Sequence, residues 1–443
     1  MRMELPPEFI RRVQEQLGEE AQAFLEAHHF TVPISILNNP KKPASLNHER
    51  ESQVPWNSFG AYLKERPAFI RDPLYHAGVY YSQEASSMAI TQVLAQYPFK
   101  QDAVCLDLCA APGGKSLVIL NALAGKGFLV SNEVHRSRAN ILDENLLKWG
   151  HTNHLVTNTD AKILNQLNER FDLILVDAPC SGEGMFRKDE GAIQEWTAGH
   201  VQACASRQQG IVDDILPALK EGGILIYSTC AYSPQENVGM DEKLLAQGIE
   251  PLPLSMDESW GFQALTSNKN AFQAFLHKVK GEGFYFAAYR KRSTIGERSR
   301  HAIFSVEQHT EEMPYVNIPA GFTAHTWKGE VYAIAEEQQE LVAELEELRC
   351  MKRPGIPLGQ WKGKDFIPAQ GLALIPGWTE AEKTELNLEE AWAYLRRETP
   401  NISGPGSGWT LASYKGHSLG WIKWVNGRMK NHYTKEWRIR SRW

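Results

Sequence analysis

The chain has 443 residues, of which 42% are hydrophobic, and a formal net charge of −6 at pH 7. This length is enough for roughly two to four domains with their own cores. No apolar run reaches about 18 residues and the segment before Phe30 is polar and amphipathic, so we expect neither a membrane span nor a signal peptide. The six cysteines have no C-x-x-C or framework spacing, which is typical of free thiols in the reducing cytoplasm, where we expect the protein.

The first 70 residues combine helical and strand patterns. Residues 5–28 are amphipathic and predict one or two helices, and Val32–Leu37 predicts a strand. A basic, Pro-rich connection follows at residues 39–43. We interpret residues 1–70 as a small α/β module.

Residues 103–230 alternate strands with helices of roughly 10–18 residues. This alternation is typical of a doubly wound parallel sheet and therefore of an α/β fold. The aromatic, alternating run from Gly283 to Arg290 is expected to add antiparallel strands at one edge of the sheet. The parallel strands are predicted at residues 103–107, 127–132, 154–158, 171–177 and 223–229.

The remainder of the chain divides into a linker and two smaller units. Residues 291–313 are charged and weakly periodic, as expected of a linker, and residues 314–350 predict a short strand-and-helix unit. From Leu358 onward, Gly, Pro, Trp and short apolar runs predict a compact β-rich domain with one helix near residues 379–397.

The turn after the first parallel strand is the clearest candidate for a binding site. The strand ends in Asp107, and a helical pattern begins at Lys115. Strand, Gly-rich turn and helix bring a ligand against backbone N–H groups at a helix N-terminus. The turn has neither G-x-G-x-x-G nor the Walker pattern, while Pro112 stiffens it and Gly113 and Gly114 permit close approach. A neutral turn without a phosphate clamp favours an adenosyl amino acid over a dinucleotide, the alternative being an ordinary α/β turn.

Four carboxylates follow the ends of predicted parallel strands, where ligands bind in such sheets. Glu133 is in the position of an acid that accepts hydrogen bonds from ribose hydroxyls, and Asp160 is placed to accept from the amine of adenine. Any one acid there can simply cap the following helix, but four along one sheet edge favour a binding site. The four are Asp107, Glu133, Asp160 and Asp177.

Two cysteines also follow adjacent predicted strands. Cys180 lies three residues after Asp177, and Cys230 closes the strand that contains Tyr227. Both thiols are therefore expected to face the edge of the sheet where the cofactor turn lies. The other cysteines outside the turn, Cys105, Cys204 and Cys350, are interpreted as core residues.

A thiol, a carboxylate and an adenosyl sulfonium suit methylation of cytosine at C5. C5 is too electron-poor to attack a methyl group until a thiolate adds at C6, which is covalent catalysis. A carboxylic acid bonded to N3 and the amino group would assist that addition, and the base must leave any duplex to reach the site. The spacing of the two thiols does not say which of them attacks.

The same motifs resemble the signatures of the Nol/Nop/Sun family of RNA cytosine-C5 methyltransferases. Residues 183–188 are similar to the bacterial RsmF branch, which acts on small-subunit (16S) ribosomal RNA. Residues 414–420 and 430–433 resemble the PUA-like RNA-binding end domain of that branch. The stretches that match the family signatures are residues 80–88, 106–115, 177–184 and 227–230.

The resemblance implies a Rossmann-like class I methyltransferase that uses S-adenosylmethionine, acts on ribosomal RNA or the small ribosomal subunit, and needs no metal. It makes Cys230 the nucleophile, Cys180 the thiol that assists release, and Asp177 a further catalytic residue. The contacts to the cofactor carry over to Cys109, Ala110, Ala111, Pro112, Gly113, Gly114, Lys115, Glu133, Asp160 and Asp177.

With the resemblance included, the sequence predicts four units in a monomer. They are an N-terminal RNA-binding module (residues 1–70), the methyltransferase core (71–290), a linker with a small connecting domain (291–357) and a PUA-like RNA-binding domain (358–443).

The C-terminal segment is basic although the whole chain is acidic. Cations for phosphates and rings for unstacked bases are what RNA binding requires. The alternative is an ordinary small β domain with solvated cations and its rings in the core. We expect some of the tryptophans to be core residues in either case, and we favour RNA contact. The cations are Lys415, Lys423, Arg428, Lys430, Lys435, Arg438, Arg440 and Arg442, interleaved with Tyr414, Trp421, Trp424, Tyr433 and Trp437.

Two other functions compete with cytosine-C5 methylation. A nitrogen-methylating RNA methyltransferase would need neither cysteine, and a ribosome-assembly factor would bind RNA without turnover. The presence of Cys180, Cys230 and Asp177 argues against both.

Overall fold

The computed structural model describes residues 4–292 and 304–441. Along these residues the chain forms four β-sheets, of four, nine, five and four strands. No helix in the two described ranges is long and apolar enough to cross a membrane. Part of the expected linker (residues 293–303) and Arg442 of the basic segment lie outside the described residues.

The N-terminal part consists of two helices and an antiparallel sheet. Helices α1 (Pro7–Leu17) and α2 (Ala21–Ala27) correspond to the predicted amphipathic pattern. The sheet has the strand order β2-β3-β1-β4, and β1 corresponds to the predicted strand. Because β4 pairs with β1, the sheet continues beyond residue 70, and we propose Ser82 as its limit. Its elements are β1 (Ile34–Asn38), β2 (Arg50–Gln53), β3 (Gly60–Leu63), α3 (Pro73–His76) and β4 (Tyr80–Ser82).

The large central sheet contains all five predicted parallel strands. They lie in the order β9-β8-β5-β6-β7. Their sequences are nearly continuous apolar runs, because both faces of the sheet are covered by other elements. The strands are β5 (Val104–Asp107), β6 (Phe128–Asn132), β7 (His154–Thr157), β8 (Phe171–Asp177) and β9 (Leu219–Thr229).

The predicted antiparallel extension is also confirmed. Strand β13 runs antiparallel to β9 and pairs on its other side with β12, which pairs with β11. The short strand β10 pairs with the far end of β13. The added strands are β10 (Ile249–Pro251), β11 (Gln263–Ala264), β12 (Ala271–Ala274) and β13 (Phe284–Lys291).

Helices cover both faces of the central sheet. Leu129 and Leu173 belong to one hydrophobic cluster with α5 and α6, while their neighbours Val130 and Ile174 belong to a second cluster with α9 and α10, as the alternation of side chains along a strand requires. The helices are α4 (Ile90–Gln96), α5 (Gly114–Leu123), α6 (Arg136–Trp149), α7 (Ala161–Leu164), α8 (Glu190–Glu195), α9 (Ala198–Ile215) and α10 (Val238–Ala246).

The strand order reverses between β5 and β8. From β5 the chain builds β6 and β7 outward in one direction, and it then returns to place β8 and β9 on the other side of β5. The loops that follow β5 and β8 therefore diverge and leave a crevice at the carboxyl ends of these strands, which is where open α/β sheets bind their ligands.

A five-stranded antiparallel sheet follows the central sheet. The expected boundary between residues 357 and 358 falls within β17, which pairs with β16 on one side and β18 on the other. We therefore propose that this unit extends to Pro368. Its elements are β14 (Glu307–Gln308), β15 (Phe322–Trp327), β16 (Glu330–Ala335), α11 (Gln339–Glu347), β17 (Ile356–Lys362) and β18 (Asp365–Pro368).

The C-terminal domain is rich in β-structure, as predicted, and its longer helix lies within the predicted range. Helix α13 begins with a capping box formed by Asn387 and Glu390. One hydrophobic cluster joins Ile36 and Leu63 of the N-terminal sheet to Tyr394 and Trp424, so the two ends of the chain share a core. The elements are α12 (Gln370–Ala373), β19 (Lys383–Glu385), α13 (Leu388–Leu395), β20 (Gly408–Tyr414), β21 (His417–Val425) and β22 (Arg428–Asn431).

Candidate functional site

The turn after β5 forms one wall of a cavity of ≈ 180 Å³ at the crevice. Asp107 and Asp177, which end β5 and β8, line it together with most of the turn residues that the sequence predicted. Further lining residues come from the segment that follows β4, which the sequence analysis left without individual roles. The lining consists of Tyr81, Ser82, Gln83, Glu84, Ser87, Asp107, Cys109, Ala110, Ala111, Pro112, Gly114, Lys115 and Asp177.

The two glycines of the turn meet different requirements. Gly113 has a φ of +120°, which side-chain-bearing residues rarely adopt. At Gly114, a Cβ atom would lie 3.2 Å from the carboxamide carbon of Gln83, so a side chain there would require Gln83 to shift by a few tenths of an ångström. The only earlier signal for Gln83 was its place in a stretch that resembles the family.

Asp107 is fully buried beneath the cavity. Its Oδ2 accepts a hydrogen bond from Ser116 Oγ at 2.6 Å, while its Oδ1 is buried without a partner among the described residues. Burial disfavours the charged form and raises the pKa of Asp107 to about 7. An orphaned acceptor at the floor of a cavity is suited to a ligand that brings a hydrogen-bond donor or a positive charge.

Asp177 and Lys115 form an ion pair on the cavity wall, with 2.8 Å between Asp177 Oδ2 and Lys115 Nζ. Ser228 Oγ donates to the other carboxylate oxygen, also at 2.8 Å. Burial opposes the charge of Lys115, but the carboxylate outweighs it and raises the pKa of this lysine. The Asp177 side chain remains 33% exposed, so it can still contact a substrate.

The other two predicted acids do not line the cavity. Glu133 is buried, accepts from the backbone N–H of His135 at 2.9 Å and pairs with Arg138 at 3.2 Å. Asp160 is exposed and accepts from the backbone N–H of Lys162 at 3.0 Å, which makes it the N-cap of α7. Asp160 thus makes the contact that the capping alternative describes, whereas Glu133 makes a local contact without capping α6.

The thiols of Cys180 and Cys230 are brought together, with 3.1 Å between their sulfur atoms. Both are partly exposed and neither forms a disulfide. The hydrogen bond to Cys230, followed by burial, raises the pKa of Cys180 well above its ordinary value. Cys180 therefore keeps its proton, and its S–H can donate to the sulfur of Cys230.

The remaining cysteines outside the turn behave as predicted. Cys105, Cys204 and Cys350 are buried in the core, where a thiol acts as a small apolar side chain.

A buried glutamate that the sequence analysis missed fixes the loop of Cys180. Glu236 accepts from the backbone N–H and the hydroxyl of Ser181, at 2.8 and 2.5 Å, and from Gln208 Nε2 at 2.9 Å. Its own carbonyl accepts from the hydroxyl of Tyr227, on the strand that leads to Cys230. The polar run after Cys230 was the only signal for it, because nothing in the sequence indicates which loop a distant glutamate will reach.

Most of the predicted RNA-stacking rings lie in the core. Tyr414, Trp421, Trp424 and Tyr433 are each at most 7% exposed, and they fill the clusters shared with the neighbouring domains, so they cannot stack on bases; only Trp437 is partly exposed. The burial of Trp421 and Trp424 agrees with the expectation that some of the tryptophans are core residues, whereas an RNA-stacking role for Tyr414 and Tyr433 was a wrong expectation. The cations remain available: those that are exposed are Lys415, Arg428, Lys430, Lys435, Arg438 and Arg440, while Lys423 is half-buried.

A second cavity, of ≈ 270 Å³, lies between the N-terminal module and the C-terminal domain. Lys41, Lys42, Lys383 and His417 line it, and its lining includes no carboxylate. Lys42 is almost completely buried and donates to the carbonyls of Ala77 and Lys148, and burial lowers its pKa to about 7. The cavity is therefore lined by basic side chains, of which Lys42 is only partly protonated near neutral pH.

Three family profiles match the chain along most of its length. The first, described as 16S rRNA methyltransferase RsmB/F, matches residues 93–290. The second, the N-terminal domain of 16S rRNA methyltransferase RsmF, matches residues 5–85, and the third, the methyltransferase RsmF PUA domain, matches residues 381–439.

Curated relatives match nearly the full chain. The ribosomal RNA small subunit methyltransferase F of Aeromonas hydrophila subsp. hydrophila is 32% identical over 86% of this chain and 84% of its own length. The protein of the same name from Aliivibrio fischeri is 30% identical over 98% of this chain and 97% of its own length.

Solved structures share the fold of the central region. A methyltransferase homolog protein from Pyrococcus horikoshii is 27% identical, with a TM-score of 0.54 over 65% of this chain and 100% of its own. NSun6 from the same organism, solved with SFG, is 21% identical, with a TM-score of 0.55 over 65% of this chain and 99% of its own. The Rossmann-like fold expected from the sequence is thereby confirmed.

The buried carboxyl of Asp107 should make stability depend on pH in the ligand-free protein. Its pKa is about 7 in the folded chain against an ordinary value of 3.8, so the folded state binds the proton more tightly. Its contribution to the free energy of unfolding is therefore greatest below pH 3.8 and is lost as the pH rises to about 7, by up to about 1.4 kcal/mol per pH unit. Urea unfolding of wild type and Asp107→Asn at several pH values measures the difference.

The advantage of the wild type over Asp107→Asn should shrink steadily as the pH rises through this window. Asp102→Asn, at an exposed position just before β5, serves as the control and should run parallel to the wild type. Parallel curves for Asp107→Asn as well would contradict the raised pKa.

Proposed function

The chain belongs to the RsmF family of 16S rRNA methyltransferases, which use S-adenosylmethionine, and from this premise we propose that it methylates C5 of cytosine in small-subunit ribosomal RNA through a covalent bond to Cys230. The observation that carries the proposal is the pair of thiols, 3.1 Å apart, in the segments that follow β8 and β9, the first of which begins after the cavity-lining carboxylate of Asp177. A methyltransferase that acts on nitrogen has no use for such a pair.

The residues around the cavity fit S-adenosylmethionine, which supplies an electrophilic methyl group when bound. The turn from Cys109 to Lys115 offers a neutral wall without a phosphate clamp, and the orphaned Oδ1 of Asp107 offers an acceptor beneath it. Glu133 and Asp160 follow the next two strands of the same sheet edge. We propose that they take part in binding, in addition to the local contacts that they make here.

Cys230 is the better nucleophile of the pair. The attacking species must be a thiolate, and the raised pKa of Cys180 makes that residue the poorer source of one. Lys115, whose charge interacts with Cys230, provides a nearby cation. When the sulfur of Cys230 bonds to C6 of the base, the electrons of the C5–C6 double bond move toward C5, which can then accept the methyl group.

Asp177 is suited to hold the base during this addition. Lys115 and Ser228 fix its two carboxylate oxygens on the cavity wall while a third of the side chain stays exposed. A carboxylate there can accept from the amino group of cytosine and share a proton with N3, which stabilises the electrons that the addition pushes into the ring.

Cys180 is assigned to the release of the product. After methyl transfer the C5 proton must leave, the C5–C6 double bond must form again, and the sulfur of Cys230 must depart as a thiolate. The sulfur of Cys180 lies 3.1 Å from that sulfur and so is placed beside the bond that breaks. Because the site is partly exposed, a water molecule can accept the C5 proton while the S–H of Cys180 donates a hydrogen bond to the departing thiolate.

The exposed positive charges of the C-terminal domain are consistent with ribosomal RNA as the substrate. The exposed cations of β22 and the segment after it can contact phosphates, and the cavity lined by Lys42, Lys383 and His417 adds an anion site between domains. Cytosine must also leave any duplex to reach a thiol at the edge of a sheet. Because the proposed substrate is ribosomal RNA, we also propose that the protein is cytoplasmic.

Removing the two acids beside the cavity should weaken binding of S-adenosylmethionine. Glu133→Ala removes a buried charged acceptor, and such a bond is worth roughly 1.5–3 kcal/mol. Asp160→Ala should weaken binding less, because that carboxylate is exposed. Asp257→Ala is a matched control, since Asp257 caps its own short helix in the same way far from the cavity. If calorimetry gives wild-type affinity for S-adenosylmethionine in all three variants, Glu133 and Asp160 make only local structural contacts.

Replacing Cys230 and replacing Cys180 should cause different defects in the reaction. Cys230→Ala has no nucleophile, so it should neither methylate RNA nor form a covalent complex. Cys180→Ala can still attack and methylate but releases its product poorly, so it should accumulate a protein–RNA adduct that survives denaturing electrophoresis. Cys204→Ala, at a buried cysteine outside the site, is the control and should stay active without an adduct. An adduct with Cys230→Ala would reverse the roles, and full activity of both variants would favour methylation of nitrogen.

Exposed cations of the C-terminal domain should contribute to RNA affinity. Deleting the domain would expose the shared core, so substitutions are the better test. The triple variant Arg428→Ala, Lys430→Ala and Lys435→Ala should bind 16S rRNA more weakly, and each lost phosphate contact should lower the slope of log K against log salt by roughly 0.7–0.9. Fluorescence anisotropy measures both quantities. Lys100→Ala, Lys126→Ala and Lys269→Ala together remove three exposed lysines elsewhere, and an equal effect of this control would refute a role of the C-terminal surface.

A further inference from the structure

The N-terminal helices pack directly against the segments that carry the two thiols. Phe9 of α1 contacts Phe186 with 5.1 Å between ring centroids, and Phe24 of α2 contacts Tyr232 at 4.8 Å. Phe186 follows Cys180 by six residues, and Tyr232 follows Cys230 by two. One hydrophobic cluster contains all four rings, so the two helices support both segments at once.

A buried carboxylate connects the helices to both segments. Glu183 has no exposed surface, and it forms an ion pair with Arg12 of α1 at 2.7 Å. Its two oxygens also accept from Trp196 Nε1 at 2.8 Å and from the backbone N–H of Tyr232 at 2.9 Å. Gln16 of α1 donates to the carbonyl of Tyr232 at 3.2 Å. Glu183 therefore connects α1 to the segment after Cys180, in which it lies itself, and to the segment after Cys230, which contains Tyr232.

The two segments also touch each other through their backbones. Gly184 donates its N–H to the carbonyl of Cys230 at 2.6 Å, and a Cβ atom on Gly184 would lie 2.5 Å from that oxygen. A shift of residues 183–186 must therefore move Cys230 as well. The separation of 3.1 Å between the sulfur atoms depends on this arrangement.

We propose that helices α1 and α2 position the two thiols, with the ion pair between Arg12 and Glu183 as the central contact. This role differs from the RNA-binding role expected for residues 1–70. Arg12 and Glu183 are positioning residues, because they act on the reaction through the segments of Cys180 and Cys230. The proposal rests on the proposed covalent mechanism, in which a thiol must reach C6 while its neighbour assists release.

The test compares neighbouring arginines of α1 in the full-length protein. Arg12→Ala leaves the Glu183 charge buried without its cation, whereas Arg11→Ala changes an exposed residue on the same helix. Transfer of a tritiated methyl group from S-adenosylmethionine to 16S rRNA, free and in small ribosomal subunits, gives kcat and KM. We expect Arg12→Ala to lower kcat about ten- to a hundredfold, as misplaced reacting groups do, with KM and RNA affinity within about twofold of the wild type. Arg11→Ala should match the wild type.

Further variants separate positioning from a loss of folding. Arg12→Lys keeps a cation and should recover part of kcat, and Glu183→Gln combined with Arg12→Ala should be no worse than Arg12→Ala alone, because both remove the same contact. In a Cys180→Ala background, Arg12→Ala should slow formation of the protein–RNA adduct. If Arg12→Ala does not fold, as judged by circular dichroism, Gln16→Ala removes a different contact of α1, the one to the carbonyl of Tyr232, and should still lower kcat.

Two results would overturn the proposal. Wild-type kcat for a folded Arg12→Ala would show that the ion pair does not position the thiols. Equal losses of RNA affinity in Arg11→Ala and Arg12→Ala, with kcat unchanged, would make α1 an RNA contact. Failure of the proposed function is distinguished by bisulfite sequencing of the methylated RNA, because tritium transfer is measured whichever atom receives the methyl group.

Discussion

Two buried carboxylates, Glu236 and Glu183, hold the segments that carry Cys180 and Cys230, and the geometry of the candidate site depends on them. Glu236 binds the backbone and hydroxyl of the residue after Cys180, and Glu183 joins the segments of both thiols to the N-terminal helices. Buried carboxylates are costly unless every oxygen has a donor, so each of them holds its donors in place. The result is a pair of sulfur atoms in contact at the carboxyl edge of a parallel sheet.

The local electrostatic environment differs between the two thiols and between the two carboxylates of the site. The raised pKa of Cys180 keeps it protonated beside Cys230. The raised pKa of Asp107 comes from full burial, whereas Asp177, at the end of the neighbouring strand, is held by Lys115 and Ser228 and remains partly exposed. Two thiols and two carboxylates thus receive different environments from one sheet edge, and different environments allow different roles.

The domains at the two ends of the chain are joined to each other and to the core. Residues of the N-terminal sheet share a hydrophobic cluster with the C-terminal domain, and the helices before that sheet share another with the thiol segments. RNA held by the C-terminal cations would therefore have a defined position relative to the site. The cavity lined by Lys42 and Lys383 lies at this junction, where a bound phosphate would contact both ends of the chain.

The sequence alone determined the parallel strands, the glycine turn at residues 113–114 and the places of Cys180 and Cys230 after adjacent strands. These features could be predicted because apolar periodicity and glycine conformation are properties of a few neighbouring residues. It also identified the family through local motifs. Tertiary structure decided that Trp421 and Trp424 are core rather than RNA contacts, that Asp160 caps a helix, and that α1 supports the thiols. These outcomes depend on contacts between segments far apart in the chain, such as that of Arg12 with Glu183, and no local pattern encodes which distant surface a side chain will meet.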